Sequence, residues 1–558
     1  MYRNARTGFI SIGIALALVA CGKKEDASAP LAFVPADTPY VIANIEGSPE
    51  ALTARWSQQM KGVWPLVMRI YGPLIEDIGK KDEGSARVLH AVLDEIHERD
   101  TPEKWREIGF SATAHSAIYG VGLLPVLRIE LADADAFRAL VARVEQKGGA
   151  KLGTARIGEQ DVWTFGPAQV QGLLAIERNH LVLTVVPAQA DEALKRRVLG
   201  LDRPQKSLAD SGALADFNKQ RGYLPYGSGW IDTRRLLALY NDDPAVVAFA
   251  QAAGTPPPKL DVACRSEFDA LAAQAPMFAF GYTALDANRM SFQGRLDLAP
   301  ALAKSLAALP GAMPAASSDG LADMAFALPI LRGRDFLVAQ ADAVAKSPFT
   351  CATLAPLNQQ LADMRGKLDQ MIPPPLADLV GARLSVSKFA WPDGAEMPDV
   401  SASVLVASAN PAFLTNLAQI SVPALAQIKI EPNGQPVAIP TDALPGMPAN
   451  LSVHAAMSAK VLGISVGTEE AANLGKAVSA APGASGTLFD MNLSGEVYKL
   501  MADGMGRFAD KIPAEQRQQI EGSRELYAMY AKWFKRIEAR LSLTNDGIEL
   551  VETVVFNP

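Results

Sequence analysis

Apolar and polar positions alternate along many short stretches of the chain, and segments with helical spacing separate these stretches. Val126–Leu131 alternates like a half-buried strand, and Asp133–Lys147 then places its apolar residues on one helical face before Gly148-Gly149. Met277–Leu285 and Met290–Leu298 alternate on both sides of a polar turn, which predicts a β-hairpin. The pattern therefore predicts an α+β fold of mainly antiparallel sheets covered by helices.

The order of these elements recurs in the second half of the chain. Lys460–Val466 followed by Thr468–Val478 matches His180–Val186 followed by Ala190–Val198 in pattern and spacing, although few residues are identical. We therefore predict two similar halves, each a mainly antiparallel sheet covered by helices, that arose by internal duplication. Two unrelated α+β domains are the alternative.

A stretch without periodicity separates the two halves. Residues 310–320, PGAMPAASSDG, contain the alanine, proline, glycine and serine that are typical of a linker. The predicted organisation is a first α+β repeat over 31–309, a linker over 310–320 and a second repeat over 321–558. A cleaved signal peptide over 1–20 and a lipidated tether over 21–30 precede them.

The signal peptide is predicted from a basic start followed by an apolar run. Arg3 and Arg6 precede an apolar segment over 8–20 that is too short to span a bilayer, which needs about 20 apolar residues. Its end, Leu18-Val19-Ala20-Cys21, resembles the bacterial lipobox. That resemblance implies that Cys21 is acylated and becomes the first residue of the mature protein. An ordinary signal peptide with a chance cysteine is the alternative.

The polar segment over 22–30 has no pattern, and at ~3.3–3.6 Å per residue its nine residues reach at most about 30 Å. The following segment, FVPADTPY over 33–40, resembles the start of proteobacterial envelope lipoproteins of unknown function. The resemblance implies a periplasmic, lipid-anchored protein and no known activity. Gly22 is not the aspartate of inner-membrane retention, which favours the outer membrane. Lys23 resembles pseudomonad retention signals, so the inner membrane remains the alternative.

Composition limits the classes of partner. The chain is 49% hydrophobic and 20% charged, which is ordinary for globular domains. Removal of the signal peptide takes away two arginines and no acid, so the formal charge changes from −7 to −9. An acidic protein is a poor partner for nucleic acid. No later stretch has the length and apolarity of a transmembrane helix, so the membrane partner is reached through the N-terminal lipid.

Two cysteines remain once Cys21 is acylated. In an oxidising compartment Cys264 and Cys351 are expected to form a disulfide, which would join the two halves across the linker. Two separately buried thiols are the alternative. Neither cysteine lies in a CxxC motif or near a histidine, so a metal site at this pair is disfavoured.

No local motif predicts catalysis, a cofactor or a metal. His90, Asp94 and His97 share one helical face, but their neighbours are those of an ordinary solvated helix. Tyr226–Trp230 lacks the spacing of a GxSxG elbow, and residues 120–125 depart from GxGxxG at the last position. The sequence therefore supports no catalytic residue, no cofactor and no metal ligand.

Two helical segments are rich in aromatic residues. Tyr527, Tyr530, Trp533 and Phe534 form the second cluster. Core packing explains both clusters most simply, but such side chains could also line an adaptable apolar groove for a lipid or a peptide. The candidate groove residues, all in the first cluster, are Trp56, Met60, Trp64, Met68 and Tyr71.

The expected function is that of a non-enzymatic binding or interaction module of the cell envelope. Its expected partners are the membrane, through the N-terminal lipid, and envelope proteins or a hydrophobic ligand. A carrier for a lipid or another hydrophobic ligand is the second hypothesis, and an unrecognised hydrolase is the third.

Overall fold

In a computed structural model, the chain forms two compact units. The structure describes residues 29–47, 49, 52–53, 55, 72, 75–77, 79–80, 83–99, 101–167, 169–252, 260–316, 320–392, 398–441, 451–467, 470–483, 486–508 and 513–558. Unit 1 comprises the described residues up to Leu260 together with Phe268–Gly294. Unit 2 comprises Asp261–Glu267 and Arg295–Pro558. The predicted α+β class with mainly antiparallel strand pairing is confirmed.

Unit 1 is built around one antiparallel sheet in which β1 is a central strand. The strand order is β4-β5-β6-β7-β3-β2-β1-β8-β9, and β10 forms a hairpin with β9. The strands are β1 (Tyr40–Asn44), β2 (Ser116–Val121), β3 (Leu124–Glu130), β4 (Gly153–Ile157), β5 (Gln160–Phe165), β6 (Val170–Glu177), β7 (His180–Pro187), β8 (Ser228–Asp232), β9 (Met277–Leu285) and β10 (Arg289–Asp297), the last of which continues past Gly294 into unit 2.

The helices of unit 1 begin and end at the signals expected from the sequence. Asp133 caps α3 by accepting hydrogen bonds from the backbone of Asp135 and Ala136, and Gly149 ends it in the left-handed conformation with φ 64°. A 3-10 helix over Pro30–Phe33 precedes β1. The α-helices are α1 (Glu83–His97), α2 (Pro102–Arg106), α3 (Ala134–Gly148), α4 (Glu192–Leu199), α5 (Leu208–Ser211), α6 (Ala213–Arg221), α7 (Thr233–Asp242), α8 (Pro244–Ala252) and α9 (Val262–Gln274), which begins in unit 2.

Both faces of the unit 1 sheet are covered. One face carries the large core, in which Val41, Tyr119 and Val126 are almost fully buried. On the other face, Phe137 and Val141 of α3 pack against side chains of β3, β6 and β7. Burial on both faces is what holds the central strands β1, β2 and β3 in place.

Unit 2 also contains one antiparallel sheet, with β11 at its centre. The strand order is β14-β15-β16-β13-β12-β11-β17-β18-β19. The strands are β11 (Ala322–Phe326), β12 (Leu379–Ala390), β13 (Asp399–Ser408), β14 (Val437–Ile439), β15 (Val453–Met457), β16 (Val461–Val466), β17 (Thr487–Ser494), β18 (Phe534–Leu543) and β19 (Gly547–Phe556).

The helices of unit 2 follow its strands in the order that the sequence pattern indicates. Helix α14 comes directly after β13, and α15 follows β16. A 3-10 helix over Pro423–Gln427 continues from α14. The α-helices are α10 (Pro300–Ala307), α11 (Ile330–Lys346), α12 (Ala355–Leu368), α13 (Pro374–Ala377), α14 (Pro411–Ser421), α15 (Glu470–Ser479), α16 (Glu496–Phe508) and α17 (Ala514–Trp533).

The segment predicted to be a linker over 310–320 begins inside unit 2, because the two units divide at Gly294. The backbone N–H of Gly311 donates to the carbonyl of Ala327. Met313 is 3% exposed and packs with Ala325 and Ala327. The described part of this segment is therefore irregular backbone that covers the unit 2 sheet.

The predicted Cys264–Cys351 disulfide is present, with the two Cα atoms 4.5 Å apart. The sequence predicts that this bond joins the two halves, but Asp261–Glu267 belong to unit 2, so both cysteines lie within that unit. The Glu267 carboxylate strengthens the same connection by accepting hydrogen bonds from the backbone N–H groups of Thr350 and Cys351. The first turns of α9 are thus fixed to the segment before α12.

Candidate functional site

Four neighbouring strands of unit 2 bury a row of polar side chains. The row runs across β16, β13, β12 and β11, and each member faces the next in the strand register. The members are 0–7% exposed. This polar row consists of Ser465, Ser403, Ser385 and Asp323.

The opposite face of the same strands carries apolar side chains, several of which are exposed. These residues are also register partners from strand to strand, and they continue onto β17 and β18. Ile464, Val404, Leu384 and Met324 are 48%, 44%, 38% and 37% exposed, respectively. We call the full set the apolar row: Ile464, Val404, Leu384, Met324, Met491 and Ala539.

The polarity of this sheet is therefore inverted relative to an ordinary soluble sheet, which buries its apolar face and exposes its polar one. In unit 1, by contrast, the corresponding apolar side chains of Leu127 and Ile129 lie under α3. A contiguous exposed apolar surface in a soluble protein marks a binding site for an apolar partner.

The buried polar face is stabilised by a charge pair. Arg383 donates to the carboxylate of Asp323, and its Nε donates to the carbonyl of Pro314 at 2.7 Å. Ser385 Oγ donates to the other carboxylate oxygen of Asp323 at 2.5 Å. Burial raises the pKa of Asp323, and the bonds from Ser385 and Arg383 oppose that rise. Asp323, Ser385 and Arg383 thus satisfy one another, whereas the buried hydroxyl of Ser465 has no hydrogen-bond partner among the described residues. The apolar face is the surface available to a ligand.

Helix α14, which follows β13, is inverted in the same sense. Phe413, Leu417 and Ile420 occupy positions i, i+4 and i+7 and are 37%, 42% and 78% exposed. Two of its polar residues turn inward, since Thr415 is 9% exposed and the Gln419 side chain donates to the carbonyl of Ile428, whereas Asn416 and Ser421 are exposed. We call Phe413, Leu417 and Ile420 the α14 stripe.

The residues singled out from the sequence have different outcomes. Cys21 and the five groove candidates, Trp56, Met60, Trp64, Met68 and Tyr71, lie outside the described residues. The second aromatic cluster is described, and its rings pack together with Tyr498 and Phe556. Burial raises the pKa of Tyr498. This cluster is therefore part of the packing of α16, α17 and the last strands.

Unit 1 contains a buried basic cluster that the sequence did not reveal. Arg128 is fully buried; its guanidinium donates to the Leu199 carbonyl at 2.6 Å and lies 3.2 Å from His180 Nδ1. The guanidinium carbon also lies 3.8 Å from the centre of the Phe33 ring. Burial, followed by the charge of Arg128, lowers the pKa of His180 to about 4. The imidazole is therefore neutral at pH 7, and Arg128 carries the charge of the cluster.

Two further features of the described ranges bear on other possible sites. A cavity of about 30 Å³ beside Leu31, Asn44 and His115 has room for water and not for a lipid. His90, Asp94 and His97 point to solvent on α1, and nowhere in the described ranges do three histidine, cysteine or acidic side chains come together as metal ligands would.

No helix within the described residues is both long and apolar enough to cross a membrane. Comparisons with protein-family models, with curated proteins and with solved structures found no match to this chain.

Proposed function

We propose that the protein is a lipid-anchored periplasmic binding module of the cell envelope, attached at the outer membrane, and that it binds a hydrophobic ligand rather than catalysing a reaction. The observation that carries this proposal is the inverted sheet of unit 2, in which Val404 and Leu384 are exposed while Ser403 and Ser385 are buried. Exposure of this apolar row to water is unfavourable and lowers solubility, and a bound apolar ligand would cover it.

The chemistry of the apolar row favours an acyl chain. Strands lie about 4.8 Å apart, so the six strands from Ile464 to Ala539 span about 24 Å. A bilayer core about 30 Å thick holds two opposed acyl chains of about 15 Å each, so one extended chain fits along the row. An extended peptide fits less well, because its backbone N–H and C=O groups would find no partners on a sheet face whose own backbone is already paired.

The acyl-chain proposal is tested by placing charge in the apolar row. The variant Leu384→Asp/Val404→Asp should weaken binding of a fluorescent fatty acid at least 10-fold, equivalent to about 1.4 kcal/mol. The two carboxylates would have to lose their hydration before an acyl chain could contact them. Both positions are exposed in the wild-type protein, so the fold should tolerate the change. Fluorescence titration of the purified protein gives the Kd, and native mass spectrometry shows whether lipid co-purifies.

Met371→Asp is the matched control, because Met371 is an apolar residue of unit 2 that is 91% exposed and lies outside the row. It should leave fatty-acid binding unchanged. Equal binding by wild type and the Leu384→Asp/Val404→Asp variant would reject the apolar row as the ligand site, even if a fatty acid binds elsewhere.

The anchor has a separate test. Cys21→Ala should abolish incorporation of labelled palmitate and leave unprocessed precursor, because the thiol that the lipobox presents for acylation is absent. Metabolic labelling followed by membrane fractionation measures both effects, and the fractionation also assigns the inner or the outer membrane. Normal palmitate labelling of Cys21→Ala would show that the anchor is not at this residue.

We further propose that the two units arose by duplication of one α+β ancestor. The order β5-β6-β7-β3-β2-β1-β8-β9 in unit 1 parallels β14-β15-β16-β13-β12-β11-β17-β18 in unit 2. A helix follows β3 and β7 in unit 1 and the corresponding β13 and β16 in unit 2. A shared strand order with low residue identity supports divergence of the two units from one ancestor. Both faces of the sheet are covered in unit 1, whereas one face is partly exposed in unit 2.

A further inference from the structure

Helix α14 lies on a part of the surface from which charge is missing. No aspartate, glutamate, lysine, arginine or histidine occurs over residues 400–428, although a fifth of the whole chain is charged. Asp399 and Lys429 bound this segment, which contains β13, α14 and the 3-10 helix over Pro423–Gln427. Contact of this surface with an apolar phase would therefore require no charged group to lose its water.

The α14 stripe is the exposed part of this charge-free segment. Ile420 is 78% exposed, and Phe413 and Leu417 lie on the same side of the helix. Thr415 and Gln419 turn inward, so the side that the helix presents to solvent is apolar except for the uncharged side chains of Asn416 and Ser421. The stripe is therefore shaped for an apolar environment outside the protein.

We propose that the α14 stripe inserts into the surface of a phospholipid bilayer and holds unit 2 against the membrane. A bilayer fits better than a protein partner, because protein interfaces are enriched in tyrosine, tryptophan and arginine and use directional hydrogen bonds. The stripe offers phenylalanine, leucine and isoleucine and no charged group. Its depth of insertion would be that of an interfacial helix, about 5–10 Å into the boundary between headgroups and acyl chains.

The position of the anchor supports a bilayer as the occupant. The tether over 22–30 has nine residues, so the start of the protein body at Pro30 cannot move more than about 30 Å from the membrane that holds the lipid. The inference rests on the proposed function only in this respect, that the anchor brings the protein to a bilayer. It adds a second point of membrane contact. Helix α14 packs on β13 and β16, which carry Val404 and Ile464 of the apolar row, so this contact would place the acyl-binding face beside the lipid supply.

The cysteine content of the protein allows a direct test of depth. Cys264 and Cys351 are joined and Cys21 is acylated, so in Ile420→Cys only the introduced thiol reacts with an environment-sensitive fluorophore in the absence of reductant. The lipidated full-length protein is placed in phosphatidylethanolamine–phosphatidylglycerol nanodiscs, one copy in each. Lipids with a nitroxide near the top of the acyl chain then quench the fluorophore. The label at residue 420 should emit at shorter wavelength and be quenched at least about 3-fold more than the control label in Met371→Cys.

Two further measurements separate the alternatives. Adding Phe413→Asp/Leu417→Asp to the labelled protein should reduce quenching at residue 420 to the control level, whereas Leu384→Asp/Val404→Asp should leave it unchanged. A failure of fatty-acid binding thus leaves this result intact. Equal quenching at residues 420 and 371 would overturn the inference. It would also be overturned by a wavelength shift that appears only when two copies share a nanodisc, because the occupant would then be a second copy of the chain.

Discussion

Removal of the Cys264–Cys351 disulfide is expected to lower the free energy of unfolding of unit 2 by about 4–5 kcal/mol. The cysteines are 87 residues apart, and in the chain-entropy model a closed loop of this length restricts the unfolded chain by that amount. Both cysteines are buried in the folded protein, so the bond is also protected from exchange with other thiols.

The variant Cys264→Ala/Cys351→Ala, compared with the wild-type protein by urea denaturation, measures this effect. Val262→Ala serves as the control, because Val262 lies on the same helix and is 85% exposed. Urea denaturation of the wild-type protein with dithiothreitol present, which reduces the bond once the chain unfolds, should reproduce the loss. A difference below about 1 kcal/mol would mean that the hydrogen bonds from Thr350 and Cys351 to Glu267 hold α9 in place without the disulfide, and that the unfolded chain is already compact in this region.

Acidification from pH 6.5 to pH 4 is expected to destabilise unit 1 by about 3 kcal/mol through His180 alone. The pKa of His180 is about 4 in the folded protein and about 6.5 when the chain unfolds, and each unit of difference corresponds to about 1.4 kcal/mol. Because the folded pKa is depressed, this stability is fully present above pH 6.5. It is lost as the pH falls through the interval in which only the unfolded chain binds the proton.

The groups that act on the His180 imidazole set the size of this effect. Arg128, His115 and Arg178 oppose its protonation, and Glu130 favours it, after burial itself, which is the largest cause. Free energies of unfolding of wild type and His180→Gln at pH 7 and pH 4 give the pH-dependent difference. His90→Gln, at an exposed histidine of α1, should change that difference by less than about 0.5 kcal/mol. An identical pH dependence in wild type and His180→Gln would show that folding does not lower the pKa of His180.

The secondary structure could be predicted from the sequence because local signals determine it. Helix α3 begins after the Asp133 cap and ends at Gly149, as the pattern predicts. Residues 155–165 belong to two strands, β4 and β5. Gly158 lies between them and adopts φ 60°, a left-handed conformation that favours glycine and ends a strand. The chain turns there, and β4 pairs with β5 as a hairpin. Local patterns thus identify most elements, and a single glycine is enough to hide a turn.

The candidate site could not be predicted, because alternation shows that a strand has two faces without showing which face is covered. Ser401, Ser403, Val404 and Val406 alternate clearly, and the ordinary expectation buries the valines. The structure buries the serines, since α15 and the segment around Met313 cover that side. Coverage depends on residues far away in the sequence, so no window of the strand contains that information.

Arg128 illustrates the same limit in unit 1. Within Val126–Leu131 it occupies a polar position of an alternating strand, which predicts exposure to solvent. It is instead fully buried, because the C-terminal carbonyl of α4 and the Phe33 ring reach it from segments about 70 and 95 residues away. The disulfide was easier to predict, because the two remaining cysteines allow only one pairing. Which unit contains the bond could not be predicted, because that depends on how α9 packs.

The way in which Phe33 is held gives unit 1 a mechanical property. Phe33 packs against Arg128 and His180. Thr38 Oγ1 donates to the carbonyl of Gly120 and accepts from its N–H, so two sets of contacts hold the chain just before β1. Tension applied ahead of Ala29 would pull β1 along its length, between β2 and β8. Its backbone hydrogen bonds would then carry the load together, in shear, instead of opening one after another. Unit 1 would therefore unfold slowly when force is applied at its N-terminal end.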